Sequence, residues 1–376
     1  MKIDNPVVQG YLDNGKLPCF DNSTINSDLT AWARFKVLLD ESVNAGTLFS
    51  NVIVSTYAFV YTSTTAYYGG VLDFNGNIHF VPYIANKGQK INASGVVSTY
   101  PLVYTWDGGV GGMYYGGVLA PNGNIHFIPG TANKGQKINA SGVVSTYPLI
   151  YTIDTAYNGG VLAPNGDIHF VPYCASKGQK IDINGFVSTY ELPYTNSSGA
   201  YIGGVLAPNG NINFIPFRAT CGQKINSIGE VTTYLLLYTT DMAYTSGVLA
   251  PNGDIHFVPF TATKGQKIDI NGYVSTYVLS YTNSSGAYHG GVLSSNGDIH
   301  FVPRSAIKGQ KINSLGVVST YGLSYTIASA YAGGVLAANG DIHFIPLNAT
   351  KGQKISILSD KPFSKAICCS PFFNKL

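Results

Sequence analysis

Charged side chains are what this sequence has least of. Asp, Glu, Lys and Arg make up 11% of the 376 residues, against about 25% in a typical soluble domain. The net charge is only +3, which excludes a strongly basic nucleic-acid binder, so no specific nucleic acid is expected as a partner. Long apolar runs are missing too. Stretches such as Leu235–Tyr238 are far too short to span a bilayer, and no membrane insertion is expected. Asp4 and Asn5 stand where a secretory signal needs its apolar core, so no signal peptide is expected. Five cysteines, an odd number in a long chain, make no disulfide framework, and none sits in a zinc-type pair. They read as free thiols, with Cys174 and Cys221 near equivalent loops and Cys368 and Cys369 adjacent.

The sequence is rich in glycine and tyrosine, 44 and 27 residues, and is 45% hydrophobic. Such a chain can bury enough apolar surface to order itself, and its aromatic and β-branched content favours strands. Repeats decide the architecture. VSTY or VTTY ends at Tyr57, Tyr100, Tyr147, Tyr190, Tyr234, Tyr277 and Tyr321, at spacings of 43, 47, 43, 44, 43 and 44. GGVL, or a close variant, recurs at Val71, Val118, Val161, Val205, Val248, Val292 and Val335, and KGQK, with Cys221 in place of its first lysine in one unit, ends at Lys90, Lys137, Lys180, Lys224, Lys267, Lys311 and Lys354.

Each unit holds four strand-like pieces, called A to D here. In the unit from Gly116, Pro121-Asn122-Gly123 separates A from B, and Ala140-Ser141-Gly142 separates C from D. Four strands in about 40–45 residues is the pattern of a β-propeller blade. The expected fold is all-β: a seven-bladed propeller over residues 52–355. The chain enters with an unaccompanied D strand, Val52–Thr62, and leaves after an A-B-C set, Gly333–Ile355. The first should therefore complete the last blade and close the ring, removing exposed edges. Prolines at Pro101, Pro148 and Pro193 place D on the outside, because proline cannot donate to a ladder. Residues 1–51 form an expected extension with one helix, capped near Asn26 or Ser27 and stopped at Gly46. Residues 356–376 form an expected tail.

The segment Gly203–Pro216, GGVLAPNGNINFIP, resembles the glycine-rich repeats of propeller-like proteins from tailed phages and other large viruses. No Trp-Asp dipeptide and no tryptophan recurs through the blades, unlike WD-type and kelch propellers. The resemblance implies a virion or surface-interaction role.

Three sets of residues are candidates for function. His79, His126, His169, Asn213, His256, His300 and His343 share one place in strand B. A metal or pH-switch site is one reading of them. A structural polar ring is the preferred one, since ligands must converge and these belong to separate blades. Asparagine can stand in there for neutral imidazole, donating and accepting a hydrogen bond. The KGQK lysines read as solvated guards of strand edges. The third set lies on loops. B–C and D–A loops share one face of the disc, and that face varies. Trp106, Met113, Tyr114, Tyr173, Phe217 and Arg304 are the expected contact residues, because loops on a rigid scaffold concentrate binding.

No activated nucleophile or acid–base pair can be named, so an enzyme is not expected, nor any cofactor or metal. The leading expectation is a non-enzymatic structural or adhesion module, plausibly part of a virion surface or appendage, virion-associated if viral and otherwise cytoplasmic. Its partners would be protein subunits of a larger assembly. The alternative is a multivalent carbohydrate-binding propeller engaging cell-surface glycans.

Overall fold

The computed structural model describes residues 52–357 apart from 107 and 110. The expected N-terminal helix, the tail beyond 357, and Cys19, Cys368 and Cys369 lie outside the described residues. Among the described residues there are 28 strands and no helix. They form seven four-stranded sheets. In the first blade the antiparallel order is Tyr67–Leu72 (A), Ile78–Pro82 (B), Lys87–Ile91 (C) and Val97–Pro101 (D). The seventh blade takes A, B and C from Tyr331–Leu336, Ile342–Pro346 and Lys351–Ile357, and its D strand is Val52–Ala58. Val52 lies opposite Ile357 and Ala58 opposite Lys351. The first strand thus closes the ring, ending at Ala58 rather than Thr62. The ring is a seven-bladed β-propeller.

The repeated residues explain why the units fold alike. The strand-A tyrosine is fully buried in every blade, Tyr67 to Tyr331. Its hydroxyl donates to the carbonyl that opens strand C, as Tyr67 does to Lys87 at 2.9 Å. Its ring packs against the strand-B phenylalanine, edge-on as Tyr67 does Phe80 at 5.4 Å or tilted as Tyr114 does Phe127 at 5.7 Å. The core lies between blades: Val118 and Ile128 of the second pack with Tyr157 and Phe170 of the third. A side chain at Gly117 would approach Val71 of the preceding blade to 2.8 Å. Glycine there lets inner strands meet.

The KGQK glutamine joins the blades by hydrogen bonds. Gln136 of the second blade accepts from the backbone N–H of Val103 and Tyr104, at 3.1 and 2.8 Å, where the first blade's chain leaves strand D. Gln89 does the same for Val60 and Tyr61 across the closure. The second KGQK lysine ion-pairs with the A–B turn aspartate at 2.6–2.7 Å in Lys180–Asp167, Lys267–Asp254, Lys311–Asp298 and Lys354–Asp341.

Strand A carries one irregularity that matters for function. Tyr67 pairs with Pro82 and Gly70 with Phe80, so one extra residue is accommodated between them. Gly69, at φ +84°, supports this bulge with a left-handed backbone. The bulge recurs in every blade; in the fifth, where Ser246 replaces the glycine, it falls between Tyr244 and Ser246. It frees the residue after the strand-A tyrosine from the ladder and re-aims it.

Candidate functional site

Each strand-B histidine uses its Nδ1 to bond the strand-D tyrosine hydroxyl of the same blade. The pairs are His79–Tyr100, His126–Tyr147, His169–Tyr190, His256–Tyr277, His300–Tyr321 and, across the closure, His343–Tyr57, at 3.1–3.4 Å. Burial pushes His126, His169, His256 and His343 down to about 4 and His300 to about 3, so these imidazoles are neutral near pH 7. The substitute in the fourth blade does not reproduce the bond. Opposite Asn213, the Tyr234 hydroxyl is buried without a partner, because the amide is shorter than imidazole. Asparagine therefore occupies the place without filling the role expected for it.

The loop candidates divide. Trp106 is partly exposed and donates its indole N–H to the Gly111 carbonyl at 3.1 Å. Met113 and Tyr114 are not on the loop surface: both are core, at 5% and 0% exposure. Tyr114 is itself the strand-A tyrosine of the second blade, so the lengthened loop ends before it. Tyr173, Phe217 and Arg304 lie just after strand B and converge on the axis with residues that sequence reasoning missed.

Those residues are the ones the bulges release. In blade order they are Tyr68, Tyr115, Asn158, Ile202, Thr245, His289 and Ala332, six residue types over seven blades, while most of their neighbours repeat. Strand A is innermost, so these side chains surround the axis. The contacts cross it. Tyr68 of the first blade hydrogen-bonds His289 Nε2 of the sixth at 2.5 Å, and Asn158 of the third lies beside the same phenol. Tyr68 stacks on Tyr83 at 5.6 Å and meets Tyr115 edge-on at 4.9 Å. The Tyr115 hydroxyl donates to that of Tyr83 at 3.3 Å. On the opposite side Tyr173, Phe217 and Phe260 follow one another at 5.9 and 6.0 Å. The Arg304 guanidinium lies over Phe260 at 4.9 Å.

The electrostatics at this centre are unusual for a core. Burial, reinforced by the Arg304 cation, pushes His289 down to about 3. Burial raises the Tyr68 phenol well above its ordinary value, with Arg304 opposing. Both are neutral at pH 7. With the phenol donating to Nε2, the imidazole carries its proton on Nδ1. That Nδ1, Asn158 Oδ1 and Arg304 Nε are all buried without a partner. A free donor, a free acceptor and a cation thus sit within an arc of aromatic rings, and buried polar groups left unmatched are costly unless something binds them. Among the described residues, no three His, Cys, Asp or Glu side chains converge as a metal site would require.

Solved structures share this ring. A streptogramin B lyase matches at TM-score 0.70 and 22% identity, covering 82% of this chain and 98% of its own. A catalytically inactive variant of the virginiamycin B lyase from Staphylococcus aureus, solved with quinupristin, matches at TM-score 0.70 and 21% identity, covering 82% and 100%. The extracellular domain of a protein described as a hybrid two-component system from B. thetaiotaomicron matches at TM-score 0.62 and 10% identity, covering 80% of this chain and 40% of that one. No family model and no curated protein matches the sequence, so the resemblance to phage and large-virus repeats finds no counterpart there. At these identities the likeness concerns the fold.

The comparison corrects one expectation. An enzyme was set aside because the sequence offers no linear catalytic motif. Lyases share this ring, so lack of such a motif is no ground for exclusion. The Tyr68–His289 contact shows why: its members are 221 residues apart, and no motif spans that distance. Among the described residues, no helix is long and apolar enough to cross a membrane.

Proposed function

We propose that the protein binds one small, ring-bearing polar molecule at the axial end of its B–C and D–A loop face, and that the Tyr68–His289 pair is placed to exchange a proton with it. One observation carries this reading. The seven units repeat nearly everywhere, yet the bulge position holds six residue types in seven blades, and the unpartnered polar atoms of Asn158, His289 and Arg304 collect around it. Aromatic walls suit the flat face of a ring, while the free donor, acceptor and cation fix its orientation. This arrangement speaks against a multivalent lectin. Equivalent sites need equivalent residues, and the repeated tyrosine, glutamine and most of the repeated histidines are held by bonds within the ring. The assembly reading, with protein subunits as partners, rests on the same variable loop face, of which Met113 and Tyr114 are core.

The test is ligand-observed NMR with monosaccharides, nucleosides and aromatic carboxylates on the full chain. A hit should be lost in His289→Ala and Arg304→Ala while both variants keep the β-sheet circular dichroism of the parent. Hits that survive both substitutions would refute the site.

A further inference from the structure

A second feature lies far from the axis, on the face of the Asn-Gly turns. A cavity of about 80 Å³ opens between the fourth and fifth blades, lined among others by Asn211, Asn213, Lys224, Tyr234, Ile268 and Asp269. In most blades the same place is satisfied from within. A histidine holds the strand-D tyrosine, and in four blades an aspartate pairs with the strand-C lysine. The fourth blade has lost both. Asn213 replaces the histidine, and the buried Tyr234 hydroxyl has no partner. Asn211 replaces the aspartate, and among the described residues no ion pair reaches Lys224. Lys224 sits directly across the ladder from Asn213, so the two losses fall at one spot. The second blade provides a contrast: Asn124 also replaces the aspartate there, but His126 still bonds Tyr147 at 3.3 Å.

The groups left over are chiefly donors: the Lys224 ammonium, the Tyr234 hydroxyl and the amides of Asn211 and Asn213. Burial raises the Tyr234 phenol above its ordinary value, which keeps its proton in place to be donated. Asp269 is the one carboxylate among the lining residues. Its Oδ1 is already engaged by the backbone N–H of Asn271 and Tyr273, at 2.9 and 2.8 Å. One water needs about 10–15 Å³ by this measure, so the space exceeds a single water and suits a group of several atoms.

We propose that this cavity binds a small oxyanion, phosphate or sulfate, through Lys224 and Tyr234. The anion would take the place of the two internal acceptors that this blade lacks. The site is independent of the axial one, and either reading can fail alone.

The test uses substitutions that the other blades already carry, so folding is preserved. Asn213→His should fill the cavity and hold Tyr234, and Asn211→Asp should neutralise Lys224. Calorimetric titration of the full chain with inorganic phosphate and with sulfate, at constant ionic strength, should show one site. Each substitution should weaken it by about tenfold or more. Acetate serves as the planar control, and O-phosphoserine tells a carried phosphoryl group from the free ion. His126→Asn should recreate the constellation in the second blade and raise the stoichiometry to two. Absence of binding by the parent chain up to about 10 mM phosphate or sulfate, or binding by Asn213→His equal to the parent's, would overturn the proposal.

Discussion

Replacing Gln136 with Met should loosen the join between the first two blades. Methionine keeps the length and approximate volume of the side chain but removes its oxygen. Gln136 is fully buried, and its Oε1 serves two backbone donors, Val103 at 3.1 Å and Tyr104 at 2.8 Å. Each donor deprived of its acceptor costs about 1–3 kcal/mol if water cannot reach it. Two effects reduce the sum. Val103 lies at the exposed edge, 62% accessible, so water can relieve its N–H in part. The Gln136 Nε2 is itself buried without a partner, and removing it returns about 1–3 kcal/mol by the same reasoning. The net loss should be about 1–3 kcal/mol, read by urea denaturation. Hydrogen exchange gives the sharper view, because the amides of Val103 and Tyr104 should exchange faster while those of strand B stay protected. A stability change below about 0.5 kcal/mol together with unchanged exchange at both amides would refute the stitch.

His126→Leu should destabilise by about 1–3 kcal/mol by stranding the Tyr147 hydroxyl; adding Tyr147→Phe should recover much of that, and thermal unfolding of the single and double variants checks it. His126→Asn should also cost stability rather than be silent, since Tyr234 shows that asparagine leaves the phenol unpartnered. Acid should destabilise the ring through six histidines held at about 3–4, those at 126, 169, 256, 289, 300 and 343. The unfolded chain takes up protons near pH 6.5 and the folded one does not. Stability is therefore full above that pH, falls between about 6.5 and 3, and levels below; potentiometric or calorimetric proton uptake on unfolding at pH 5 reads it directly, and no uptake would contradict the burial. Removing residues 1–58 should expose the edge of Lys351–Ile357 and cause association, seen by light scattering.

Much of the ring was legible because every blade states the same rules. Period, strand count, outer proline positions and the unaccompanied first strand all pointed to one closed architecture, and the pairing of Val52–Ala58 with Lys351–Ile357 follows. The axial cluster was harder to see. Its signal is variation inside repetition: the residue after the strand-A tyrosine takes six types in seven blades, while GGVL beside it is kept in six. His289 was the seventh histidine, off the strand-B register, and it was passed over for the six in line. Loop variation was weighed instead, and it misplaced Met113 and Tyr114, because a boundary drawn one element late turns a core tyrosine into a loop residue. Tyr173, Phe217 and Arg304 were found because they sit beside an obvious landmark, the strand-B proline. No sequence spacing could pair Tyr68 with His289, since only ring closure brings the first and sixth blades together.

The most direct measurement is a histidine-selective NMR titration with each hit from the ligand screen, paired with calorimetric stoichiometry. His289 is the single histidine outside strand B, so its resonances can be assigned with one His289→Ala spectrum. The account predicts one bound molecule per chain, with His289 shifting and the strand-B histidines still. Seven molecules per chain, or saturating binding that leaves His289 unmoved, would contradict it.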